Sequence, residues 1–147
     1  NSMSNKLIKP QGNDIIIDDG VKVYNIKNLR GKLLGTFEFR PADTNIVNRY
    51  EEVVDFFNNL TVPETENAEE TVKEIEKQVV EKMDYLIGGD SKESFFSIMG
   101  AFSVLASGEL FFENVLGAVA KVIEHEFSVR TKKLQRRMNK YVAKYHK

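Results

Sequence analysis

A chain of 147 residues, 41% apolar and 29% charged, is long enough to bury one modest core. With no cysteine it has no disulfide, no thiolate nucleophile and no cysteine-bound zinc. Nor does it contain the run of about eighteen apolar residues that a membrane span needs.

The N-terminus lacks the charged-then-apolar pattern of a secretory signal, so a cytoplasmic protein is expected. Net charge is −1 but unevenly spread: thirteen Asp or Glu face four Lys between Glu51 and Glu93, whereas Ser128 to Lys147 carry eight cations and no acid. Opposite ends of neighbouring copies are therefore matched for attraction, which makes a homo-oligomer one expected state.

Residues 1–10 are polar and expected to be loose, with Asn1 and Ser2 read as a cloning remnant ahead of Met3. Residues 11–147 read as a single α+β domain, a β-meander over 11–40 followed by a helical part over 43–147. Ile15-Ile16-Ile17 and Val21-Lys22-Val23-Tyr24-Asn25-Ile26 flank Asp18-Asp19-Gly20, and Asp-Gly between β-branched runs predicts a hairpin. A second turn at Asn28 to Gly31 leads to a third strand over Lys32 to Phe39. Three strands with one apolar face need helices to cover them.

Pro41 ends the sheet, and Asp43 or Thr44 caps a helix to about Leu60 with Ile46, Val47, Tyr50, Val54 and Phe57 on its apolar face. A polar loop spans Thr61 to Asn67. A second helix over Ala68 to Ile87 carries Val72, Ile75, Val79, Met83 and Leu86 on one stripe, and Gly88-Gly89 stops it. Asp90 or Ser91 caps a third, short helix containing Phe95, Phe96, Met99 and Phe102, which Ser107-Gly108 ends. The fourth helix starts near Glu109 and reaches Tyr145. At about 1.5 Å per residue it is roughly 50 Å long, more than the roughly 30 Å width of a small domain, so it bends near Ser128 or projects.

The sequence offers no reaction centre, and neither an enzyme nor a cofactor is expected. Its two histidines are His125 and His146. Glu124-His125-Glu126 does not form a metal site, because helical neighbours point about 100° apart. No base-paired nucleophile or strand-to-helix Gly-x-Ser-x-Gly turn is present. Gly88-Gly89-Asp90-Ser91 lacks the lysine of a phosphate cradle, and Asp90 repels an anion, so a helix cap is the reading there.

The basic C-terminal segment is the candidate site. Leu134, Met138, Tyr141 and Tyr145 follow steps of four, three and four and form one apolar stripe, the expected anchors for a protein partner. Arg130, Lys133, Arg136, Arg137 and Lys140 surround it and would steer an acidic partner. Two other readings stay open: nucleic-acid binding, with Tyr141 and Tyr145 as stacking platforms, and plain packing on the chain's own core. A membrane-surface helix requires a bulkier apolar face.

Three stretches carry a resemblance: Phe37-Glu38-Phe39-Arg40-Pro41-Ala42-Asp43-Thr44-Asn45-Ile46, Tyr85-Leu86-Ile87-Gly88-Gly89-Asp90-Ser91, and the Asn139-to-Lys147 ending. In this order they resemble small proteins from the tail-morphogenesis region of Firmicutes phages and prophages, near the tape-measure gene. The Gly88-Gly89-Asp90 order departs from the Gly-acid-Gly turn of that family. The resemblance, from about Val21 to Lys147, implies a tail-assembly chaperone-like protein that holds tape-measure or tube subunits in the host cytoplasm. A structural tail component is the neighbouring implication.

Overall fold

The computed structural model describes residues 8–9, 11–61 and 66–145, without the side chains of 130, 131, 133–135 and 137–145. In chain order it contains β1 (Lys22–Lys27), β2 (Leu33–Phe39), α1 (Asn45–Asn58), α2 (Ala68–Ile87), α3 (Ser91–Ser94) and α4 (Phe111–Tyr145). The class is α+β, with a two-stranded antiparallel sheet rather than the expected three-stranded meander. Most of the segment 1–10 and of the Thr61–Asn67 loop lies outside the described residues.

The missing strand has a local cause. A type I′ hairpin needs positive φ at both central residues, and of Asp19 and Gly20 only Gly20 has it, at 73°. Asp18 Oδ1 instead accepts the Gly20 N–H (2.9 Å), and Asp19 Oδ1 accepts the Val21 N–H (3.2 Å). Arg40 pairs with Asp19, tying this bend to the end of β2. That hydrogen bond is the main reason the Asp19 carboxyl lies below its ordinary range. Ile15, Ile16 and Ile17 join no ladder and are exposed.

The true hairpin turn is Asn28 to Gly31, as expected. Asn28 Oδ1 accepts the N–H groups of Arg30 and Lys32, both at 2.9 Å, and Gly31 takes φ 84°. From there the register runs Ile26↔Gly35, Tyr24↔Phe37 and Lys22↔Phe39, with an irregularity between Ile26 and Lys27. Alternation turns Tyr24, Ile26, Phe37 and Phe39 inward, where Tyr24, Phe37 and Phe39 stack with ring centroids 5.1–5.6 Å apart.

Helices cover that face. The main core joins Phe39 to Ile46 and Val53 of α1, Met83, Leu86 and Ile87 of α2, Phe95, and Val115, Val119 and Ile123 of α4. In α1 the two buried residues are Ile46 and Val53, both in the main core, while Val54 beside Val53 is only half-buried. Asp43, rather than Thr44, caps α1: its Oδ1 accepts the Asn45 N–H at 2.9 Å. A second cluster of Val79, Ala101 and Phe112 sits beside the first, with Phe57 and Phe102 against Phe112.

Helix α2 keeps its expected bounds. Asn67 accepts the Glu70 N–H at its start, and Gly88 takes φ 69° at its end. Helix α3 is shorter than expected. The N–H groups of Phe95 and Phe96 both bond to Ser91 O (2.9 and 3.0 Å), which widens the turn and ends the helix before the Phe-rich stretch. Phe95 then reaches Phe37 at 4.8 Å. A bridge between Val104 and Leu110 closes around Gly108 (φ 90°), so α4 begins at Phe111 rather than near Glu109.

Candidate partner-binding surface

Two features fix the start of α4. Glu113 Oε1 reaches back to the Leu110 N–H at 2.9 Å, satisfying a donor that the first helical turn leaves open. Phe112, Val115, Val119, Ala120 and Ile123 then anchor the first third of the helix in the two cores. At Glu126 the helix meets the sheet for the last time among the described side chains, through an ion pair with Lys22 of β1. Burial, and secondarily the charge of Glu126, holds the Tyr24 phenol above its ordinary pKa at the same seam.

Past that seam the character of the helix changes. Ile123 is its last buried described side chain; Phe127 and Val129 are 37% and 38% exposed, and Ser128, Lys132 and Arg136 are exposed. The backbone nevertheless continues as helix to Tyr145, twenty-two residues beyond Ile123 and about 33 Å along the axis. It is one helix, unbroken at Ser128.

Of the nine expected partner-binding residues, the structure places the side chain of Arg136 alone, on the surface. The side chains of Arg130, Lys133, Leu134, Arg137, Met138, Lys140, Tyr141 and Tyr145 lie outside the described residues. Their backbone positions fall on the helical extension. Phe127 and Val129 are both exposed there, but two residues apart they point to nearly opposite sides of the helix; the period-3.6 pattern does not reveal where the body beneath a helix ends.

Elsewhere, the described residues contain no group of three or more His, Asp or Glu placed to hold a metal ion, and His125 is exposed. Among them, no helix is long and apolar enough to cross a membrane. Comparison with protein-family models, curated proteins and solved structures found no match for this chain.

Proposed function

We propose that this chain is a non-enzymatic binding protein of the phage tail-assembly chaperone type, which engages tape-measure or tube subunits through α4. The observation that supports this reading most is the continuation of α4 for twenty-two residues past its last buried described side chain. A helix used only to complete the core gains nothing from such a length, since packing on the body supplies most helical stability. An amphipathic, cationic helix is suited to lie in the groove of an acidic helical client, with its apolar stripe as anchor and its cations setting the encounter rate.

The experiment is capture of a purified tape-measure fragment by the intact protein and by Arg136→Glu/Arg137→Glu. Capture should weaken at least tenfold, equivalent to about 1.4 kcal/mol. Unchanged capture excludes the helix as the contact. Nucleic acid is the rival client, and it has its own signature: retention on DNA or RNA that falls steeply as salt rises. Such retention without capture of tail proteins would replace the chaperone reading.

A further inference from the structure

Ile15, Ile16 and Ile17 have the composition of a strand but join no ladder, and they are 89%, 44% and 75% exposed. Three neighbouring apolar side chains left in water form a patch rather than a scatter of single residues. The bend at Asp18 to Gly20 and the Asp19–Arg40 pair keep the run from folding back onto β1 of its own chain.

One edge of the sheet is built to receive a strand. Between Ile26↔Gly35 and Lys27↔Leu33, β2 advances two residues while β1 advances one, so Leu34 is the extra residue and the irregularity belongs to β2. An ideal Cβ on Gly89 would also lie 3.9 Å from the Glu38 carbonyl oxygen, so the chain after α2 lies against the β2 side. Strand β1 is uninterrupted. Among the described residues, no backbone hydrogen bond from outside its ladder reaches residues 22–27. On its inner face Tyr24 and Ile26 are only half-buried.

The run and the edge match in one register. Lys22 and Lys27 discourage most strands from joining β1. Yet the spacing from Lys22 to Lys27 equals that from Asp14 to Asp19. Antiparallel pairing that sets Asp19 opposite Lys22 therefore sets Asp14 opposite Lys27, and it brings Ile17 beside Tyr24 and Ile15 beside Ile26 on the inner face. Ile16 and Asp18 fall opposite Asn25 and Val23 on the outer face. A slip of one residue turns Ile15 and Ile17 outward. A slip of two sets Ile17 against Lys22 in one direction and Asp19 against Tyr24 in the other.

We infer that residues 14–19 of one copy of this chain add as a third strand to β1 of a second copy, and that the exchange is mutual. The pairing reads the same from either chain, so a two-fold axis passes between Gly20 and Val21, the isologous arrangement of a closed dimer. Gly20, with φ 73° and no atom within 4 Å of an added Cβ, sits where the two chains cross. Asp19 and Lys22 already have partners in Arg40 and Glu126, whereas neither Asp14 nor Lys27 is in an ion pair among the described residues. The Asp14–Lys27 contact is therefore the one that selects this register. It uses neither α4 nor its cations and stands apart from the client binding proposed for that helix.

The test is sedimentation velocity of the full-length protein over a concentration series. The protein should pass from monomer to dimer as concentration rises, with amide hydrogen exchange at Ile15 to Ile17 slowing in step. Asp14→Lys and Lys27→Asp, each alone, should weaken the dimer at least tenfold, about 1.4 kcal/mol. The double variant Asp14→Lys/Lys27→Asp, which restores the original net charge, should recover it, as should an equal mixture of the two single variants. The inference is overturned by a monomer at every concentration up to the solubility limit, or by a dimer indifferent to both single variants. A double variant that folds yet stays monomeric also overturns it; if that variant does not fold, a mixture that stays monomeric does so. A dimer that Arg136→Glu/Arg137→Glu dissolves instead would overturn it by assigning association to the oppositely charged ends of the chain.

Discussion

Asp84 holds Ser91 across the corner between α2 and α3 with two hydrogen bonds to one carboxylate oxygen. Asp84 Oδ1 accepts the Ser91 N–H at 2.7 Å and the Ser91 hydroxyl at 2.5 Å. The backbone carbonyl of Asp84 meanwhile accepts the N–H groups of Gly88 (2.8 Å) and Gly89 (3.3 Å). One residue thus satisfies four donors where the chain reverses, and Ser91 is the one fully buried polar side chain among the described residues. Ser91→Ala removes one bond and leaves Asp84 undersatisfied, at a cost of about 1–3 kcal/mol. In urea denaturation the midpoint should fall with an unchanged slope.

Two glycines should respond to alanine with opposite signs. Gly88 occupies the left-handed region, so Gly88→Ala should destabilise by about 1–2 kcal/mol although no atom obstructs the new Cβ. Gly117 lies inside α4, exposed and with nothing within 4 Å of an added Cβ. There, Gly117→Ala should stabilise by about 0.8–1.0 kcal/mol. Melting temperatures of the two variants, measured side by side, check both signs.

Core and surface positions on the α2 stripe are distinguishable. Met83 is fully buried and Val72 is 38% exposed, although both fit the same helical period. Met83→Ala should therefore cost about 2–5 kcal/mol. Val72→Ala should change stability by no more than about 0.5 kcal/mol. Equal costs would contradict the packing described.

The cap of α1 makes stability depend on pH. The Asn45 N–H first, and then Arg49, lower the Asp43 carboxyl below its ordinary value. A carboxyl with a depressed folded-state pKa contributes stability that is present above its unfolded value and lost as pH falls through the folded one. Stability should thus decline from about pH 4 downward. In Asp43→Ala that part of the decline should vanish, and about 1 kcal/mol should be missing at neutral pH. Denaturation curves at pH 7 and at successive acid values provide the check.

Much of the fold was legible because its signals are local. Asn67 and Gly88 bound α2 through contacts within a few residues, and the Asn28 side chain closes its own turn. The failures share another physical origin. Asp18-Asp19-Gly20 has hairpin composition, but side-chain acceptors and the Arg40 pairing hold it in a different bend. Phe95 belongs to a helical pattern by spacing, yet its ring is claimed by Phe37 from β2, fifty-eight residues away in sequence.

The sequence by itself determined the α+β class, the bounds of α2 and the length of α4, since periodicity and caps act within a turn or two. Only the tertiary structure decided that α4 leaves the core after Ile123, that Val53 outranks Val54, and that Phe95 packs on Phe37 rather than continuing a helix. Each of these depends on which distant surface lies against a residue, and that information is carried by long-range packing rather than by any residue's neighbours in the chain.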